Sequence, residues 1–514
     1  MNQYTDNKYC SREESEDVKF SVDPSNPNTI PKYVDPLPMP EVAKPEFCNE
    51  KAEGYRISMI ETYHKFHSYF PRTKVWGYNG KYPGPTIETF KDRINYIQWE
   101  NKLPDKHLLP YDYTLHGTID SPEVKTVVHV HGAHVEAESD GYPEAWFTRD
   151  YVLRGPSFTK KVYTYTNHQP ATTLWYHDHA MGATRLNVYA GLAGFYIIRD
   201  ELEERLNLPK GRFEIPLMIQ DKTFNSDGSL SYPEPITTPT TPPSLIPAFI
   251  GNTIAVNGKL WPYVEVEPRK YRLRFLNGSN ERNYKLSFSE DIPFHQIGTD
   301  GGFLVTTNEI KSFTIYPAER VDTIVDFSNY SGQEIILKND GDDADENTGV
   351  IMKLKVSSKC SEKDTSEIPT LLNPYDHIDT TNAQIREVAT GATIDPYGRL
   401  MLLLNDHMWH DPATEIVKKD SVEIWRITNG GPVTHPIHIH LVQFQILSRE
   451  DANTGEEIPL NSYEKGWKDT VVVPSGTTTT VAMHFTGFSG EYVWHCHILE
   501  HEDHDMMRPL RVIE

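Results

Sequence analysis

The chain has 514 residues, 38% hydrophobic, with 28 Tyr, 9 Trp and 37 Pro, which predicts about three turn-rich β-domains rather than one core. Its formal net charge of −23 includes no long basic run, so nucleic acid and anionic membrane are not expected partners. No window approaches the roughly 18 apolar residues of a membrane span.

The opening stretch MNQYTDNKYCSREESED has no basic-then-apolar leader pattern, which predicts synthesis in the cytoplasm without a signal peptide. Residues 1–50 are polar and proline-punctuated and read as an extended surface arm. Short β-type runs follow, such as TKVWGYNG and INYIQWEN, separated by turn signals. The one helix predicted is Asp200–Leu206 (DELEERL). INYIQWEN (94–101), YRLRFLNGS (271–279) and VEIWRITNG (422–430) each alternate apolar residues and end at Asn. Each precedes a histidine-bearing strand: VVHVHG (127–132), FHQIGTDGG (294–302) and HPIHIHLVQF (435–444). This weak repeat predicts three related domains, at 51–200, 207–358 and 386–514, with a polar linker at 359–385.

Within the second domain, YPEPITTPTTPPSLIP (232–247) reads as an external connection. NDGDDADEN (339–347) lacks the closing Glu of a calcium loop and reads as a solvated loop. Cys10, Cys48 and Cys360 form no CxxC pair and read as free thiols, with a Cys10–Cys48 bridge left open.

The chemistry concentrates near the C-terminus. In YVWHCHILEHEDHDMMR (492–508), His495 and His497 flank Cys496, and His501 and Met506 follow. Thiolate, imidazole and thioether form the ligand set of a blue-copper site. On a strand, Cys496 faces one way and its two neighbours the other, so a metal at Cys496 would be wired to a second centre behind. Four HxH pairs supply that centre: His129/His131, His177/His179, His438/His440 and His495/His497. Members of a pair share a face, so eight imidazoles can converge. Asp178 stands where the last pair has Cys496, which leaves the blue site to the third domain. His435 is placed to join Cys496, His501 and Met506. His295 reads as packing, and His134, His168, His484 and His504 as surface or supporting residues.

The motifs HVHG, WYHDH, HPIHIH and HCHILEHEDHDMM resemble those of multicopper oxidases, more closely the bacterial spore-coat laccases. The resemblance extends over DGYPEAWF, TRLNVYAGL, NGKLWPYVEVEPRKYR and EKGWKDT, nearly the whole chain. It implies three cupredoxin domains and four copper ions. Carried over motif by motif, the type 1 copper takes His435, Cys496, His501 and Met506, and the type 2 copper takes His129 and His438. One type 3 copper takes His131, His177 and His497, and the other His179, His440 and His495. The implied activity is one-electron oxidation of phenols or aromatic amines coupled to reduction of dioxygen to water, with Glu502 and Asp140 relaying protons. Implied too are a monomer and assembly into a spore coat.

A bilirubin oxidase or a cuprous or ferrous ion oxidase would use the same coppers. The 11 methionines form no cluster, which favours organic substrates over metal ions. A structural coat protein or an electron-transfer protein would not need the full ligand set. Thr434 is expected to line the substrate pocket, beside the divergent segment TNGGPV (428–433).

Overall fold

Three strands ending at asparagine, Ile94–Asn101, Lys270–Asn277 and Val422–Asn429, occupy equivalent places in three successive β-units. Each pairs in parallel with an early strand of its unit, Ala52–His64, Glu214–Lys222 or Gln384–Ile394, and antiparallel with a later one. The terminal asparagine does the same work each time. Its Oδ1 accepts the N–H two residues on, at 3.0 Å for Asn101, Asn277 and Asn429 alike. Its Nδ2 donates to carbonyls of crossing segments, those of Phe147, Arg282 and Ile315, and Val433 and Val473. A strand leaving a buried sheet must satisfy its backbone polar groups, and the asparagine does this without a ladder partner.

The computed structural model describes residues 22–234, 245–375 and 377–514. Cys10 and residues 235–244 of the proline-rich connection lie outside them, so the Cys10–Cys48 question does too. Each unit contains two sheets. In the first, the sheet of Ala52–His64 and Ile94–Asn101 shares a core with Gly84–Phe90, Ala193–Arg199, Thr172–Asp178 and Val128–His131. The third pairs Leu400–Leu404, Gln384–Ile394, Val422–Asn429, Thr477–His484 and Phe444–Asp451 with Glu415–Lys418, Met507–Ile513, Gly490–Cys496, His435–Ile439 and Thr470–Val473, around Trp425, Ile437 and Trp494. The middle unit joins a seven-stranded to a five-stranded sheet. This is the expected all-β, three-unit architecture.

Residues 22–46 are extended, as expected, but they are fixed in place. Pro36 bridges to Tyr263 of the middle unit and Val42 to Thr86 of the first, and Ile30 and Leu37 are buried. The described linker residues follow the middle unit, where Asp364 pairs with Lys270 at 2.8 Å. In the acidic loop, Asp345 accepts the N–H groups of Asn347 and Thr348 at 2.8 and 2.7 Å. Its carboxylate is therefore used by its own turn.

The predicted helix is Glu201–Arg205, capped by the Asp200 side chain accepting Glu203 N–H at 2.8 Å. Three further helices bear on the site, and the one-turn Ala137–Asp140 carries Asp140. Thr184–Ala190 is buried on every side, so it carries no amphipathic period to read. Leu499–Glu502 is a single turn after the cysteine strand and presents His501 and Glu502.

Candidate metal centre

Neighbouring strands carry the histidine pairs. Val128–His131 lies beside Thr172–Asp178 with His129 opposite His177. His435–Ile439 lies beside Gly490–Cys496 with His438 opposite His495 and Ile437 opposite Cys496. His179, His440 and His497 sit one residue past the ends of their strands. All eight rings are buried, and two units supply four each.

Hydrogen bonds to carbonyls fix which nitrogen faces inward, because a carbonyl only accepts. His129 Nδ1–H donates to Asp140 O at 2.6 Å and His438 Nδ1–H to Asp469 O at 2.7 Å. His177 donates likewise to Asp178 O at 2.8 Å and His495 to Cys496 O at 3.0 Å. Their Nε2 atoms are left with lone pairs. His129 Nε2 and His438 Nε2 nonetheless face each other at 3.4 Å, an arrangement that favours a cation shared between them. His131 is turned round: its Nε2–H donates to Asp469 Oδ1 at 3.0 Å, and its Nδ1 has no protein partner. Both nitrogens of His497 and Nε2 of His177 are likewise buried without one. His179 and His440 each bring Nε2 to His495 Nε2, at 3.2 and 3.3 Å.

The ligand atoms gather into His131–His177–His497, His179–His440–His495 and His129–His438–His440, each group within 4.8 Å. The first two coincide with the expected triads; the third adds His440 to the expected His129 and His438 pair. Burial, with repulsion among neighbouring imidazoles, holds His129, His131, His179, His438, His440 and His497 well below the ordinary histidine range. Burial also lowers His177 to about 3. They stand as neutral bases, the form that binds metal.

On the other face of the cysteine strand, Cys496 Sγ lies 3.4 Å from His435 Nδ1 and 3.7 Å from His501 Nδ1. His501 Nε2–H donates to Pro247 O at 3.1 Å, which leaves Nδ1 bare toward the sulfur. Burial pushes the free thiol up, so a metal must displace its proton. Met506 is buried in the core cluster that contains Cys496, whereas Met507 packs with Met181 and Trp409. This separates the two methionines and leaves Met506 on the Cys496 side.

Both expected carboxylates are buried at the histidine cluster. Asp140 Oδ2 accepts His440 Nδ1–H at 2.6 Å, and burial raises its carboxyl well above the usual range. Glu502 lies 3.2 Å from His495 Nδ1 and 3.5 Å from His179 Nδ1. Asp469 was missed by the sequence reading. It lies in EKGWKDT, a stretch that carried the resemblance but no role.

Thr434 lines a cavity of about 710 Å³ with Ile250, Glu281, Tyr316, Val433 and Ile498, next in sequence to His435 and His497. Glu281 Oε2 is buried without a partner. Burial, with Glu500 and Asp221 nearby, pushes its carboxyl up to about 8. The raised value means the folded chain binds a proton that the unfolded chain has released, so stability is lost as pH rises from about 4.5 to about 8. In metal-free protein, Glu281→Gln should match the wild type in Tm near pH 4 and exceed it by a few degrees at pH 9. Calorimetry at the two pH values checks this, and equal Tm values at pH 9 would contradict it.

The remaining histidines stand apart. His134 bonds Thr486 O, His168 pairs with Asp92, and His504 with Asp395. His484 is exposed, and His295 lies 3.8 Å from Glu309. None belongs to a metal-competent group among the described residues. No helix among the described residues is long and apolar enough to cross a membrane.

Family profiles described as multicopper oxidase match residues 62–203 and 372–514. The chain is 47% identical to a laccase of Bacillus subtilis over 95% of its length and 99% of that protein's. It is 49% identical to a laccase of Bacillus stratosphericus, over 94% of this chain and all of the relative. The crystal structure of a laccase from Pediococcus acidilactici superposes with a TM-score of 0.78 at 28% identity, covering 94% of this chain and 95% of that one. These similarities make the three β-units cupredoxin-like and do not favour the bilirubin-oxidase, metal-ion-oxidase or coat-protein readings. The chain belongs to the copper-binding multicopper oxidase family and is an enzyme of its laccase type.

Proposed function

We propose that the chain holds four coppers per molecule and oxidises phenols or aromatic amines at the expense of dioxygen. His435, Cys496, His501 and Met506 hold the type 1 ion, and His129 and His438 the type 2 ion. His131, His177 and His497, and His179, His440 and His495, hold the type 3 pair. The inward lone pairs of His129 and His438 at 3.4 Å, within a cluster of eight buried imidazoles, carry this reading. When bound, copper supplies the redox chemistry, one electron at a time from the organic substrate and four to dioxygen.

The protein contributes position, exclusion of water and protons. The cavity at Thr434 and Ile498 brings an aromatic substrate beside the type 1 ligands. Cys496 joins that site covalently to His495 and His497. Water formation consumes four protons per dioxygen. Glu502, beside His179 and His495, is the carboxyl placed to relay them to the reaction, within the reach a general acid needs. Asp140 orients His440 through Oδ2, and burial favours the protonated form of its carboxyl beside His129 and His440.

The test is stoichiometric. With a simple phenol, four substrate radicals should form per dioxygen consumed, without hydrogen peroxide. Two radicals per dioxygen with accumulating peroxide would overturn the proposal. Assembly into a spore coat and a monomeric state also form part of it, and sedimentation of the purified enzyme tests the latter.

A further inference from the structure

The middle unit supplies no residue to the metal-competent clusters found among the described residues, yet one of its side chains reaches the cluster through a single intermediary. Arg320 opens the strand Arg320–Asp326 and is 1% exposed. All five of its N–H donors are used. Nε donates to Thr173 O in the first unit at 2.8 Å. Nη1 donates to Ala318 O at 2.9 Å and Asp469 Oδ1 at 2.8 Å. Nη2 donates to Asp300 O at 3.0 Å and to Asp469 Oδ2. Asp469, in the third unit, then uses Oδ1 to accept His131 Nε2–H and its carbonyl to accept His438 Nδ1–H.

The consequence concerns which nitrogen His131 offers. Seven of the eight rings are free to present Nε2, but His131 presents Nδ1 because its Nε2–H is held by Asp469. A carboxylate gripped on both oxygens by one planar guanidinium cannot rotate, so the grip fixes where Oδ1 points. Gly132 fits the same arrangement. It has φ of +86°, and a Cβ there would overlap Asp469 Oδ2 and come within 2.9 Å of Arg320 Nη2. The glycine of the HVHG motif thus leaves room for the ion pair.

Resting on the copper assignment above, we propose that Arg320 is a positioning residue for the histidine cluster. Through Asp469 it selects the donor nitrogen of His131 and the orientation of His438, so the middle unit sets metal geometry at a centre to which it gives no ligand. An ion pair that merely joined the units would affect stability alone.

The experiment compares copper-loaded Arg320→Lys with wild type and with Arg274→Lys. Arg274 is another buried arginine between the first and middle units, bound to Thr173, Glu203 and Glu214. The wild type must show the type 1 and type 2 signals; their absence there would defeat the copper assignment itself and the proposal with it. Arg320→Lys keeps the charge and loses the fork. It should retain the blue type 1 absorption and show altered type 2 hyperfine splitting. Copper affinity at the cluster should fall about 10–100-fold, as for lost partners of metal-bound histidines. Arg274→Lys should lower Tm and leave both copper readouts unchanged. Unchanged hyperfine splitting and copper affinity in Arg320→Lys, or equal changes in Arg274→Lys, would overturn the proposal. If Arg320→Lys does not accumulate, Gly132→Ala disturbs the ion pair from the opposite side; it should shift the type 2 signal, and a folded variant with wild-type signals would overturn the proposal equally.

Discussion

Replacing Cys496 with serine should abolish the blue absorption, remove about one copper per chain, and lower phenol-driven oxygen uptake by on the order of 10³-fold or more. A hydroxyl cannot supply the thiolate that gives the type 1 site its covalency, and His435 and His501 alone are too few ligands to replace it. The electron route is lost as well. Cys496 is the covalent neighbour of both His495 and His497, and His495 pairs across the sheet with His438. The fold should survive, because serine is isosteric and a buried hydroxyl costs about 1–3 kcal/mol. The type 2 signal should therefore persist in a folded, inactive protein. Retained turnover in Cys496→Ser would place substrate oxidation somewhere other than at this sulfur.

Glu502→Gln should produce the opposite dissection. The substitution preserves shape and hydrogen-bonding capacity beside His179 and His495 but removes the carboxyl, leaving no group there able to relay a proton. Loss of a positioned general acid costs about 10²–10⁴-fold in a proton-dependent step. Oxygen consumption should fall within that range, while anaerobic bleaching of the blue band by a phenol proceeds at the wild-type rate with full copper loading. Unchanged turnover at full loading would remove Glu502 from the mechanism. Slowed bleaching would mean that the carboxylate acts on the type 1 side.

The two variants probe opposite faces of one strand, and those faces were legible in the sequence. The alternation of His495, Cys496 and His497 forces a two-sided reading as soon as a strand is assumed. Four HxH pairs at the same spacing have no ordinary packing explanation. The three Asn-ended strands were visible as a repeat because each asparagine answers the same backbone need at the same place in its unit. Less legible were residues whose partners come from other units. Asp469 immediately precedes the strand Thr470–Val473 and Arg320 opens Arg320–Asp326, and nothing in their local pattern indicates that they meet. The helix Thr184–Ala190 was hidden because it is buried all round. The inversion of His131 depends on a carboxylate 338 positions away in the chain, so no local motif could reveal it. Beyond Thr434, the wall of the cavity was also out of reach, since it draws on Ile250, Glu281 and Tyr316 from separate segments.

One cysteine site and one eight-histidine cluster should be filled together in each chain. The most direct measurement is the absorption spectrum of copper-loaded protein with metal quantified per chain. A strong band at about 600 nm, expected for copper–thiolate charge transfer, together with about four coppers in each molecule, is the predicted result. A blue band with about one copper would leave the histidine cluster without metal and contradict the account.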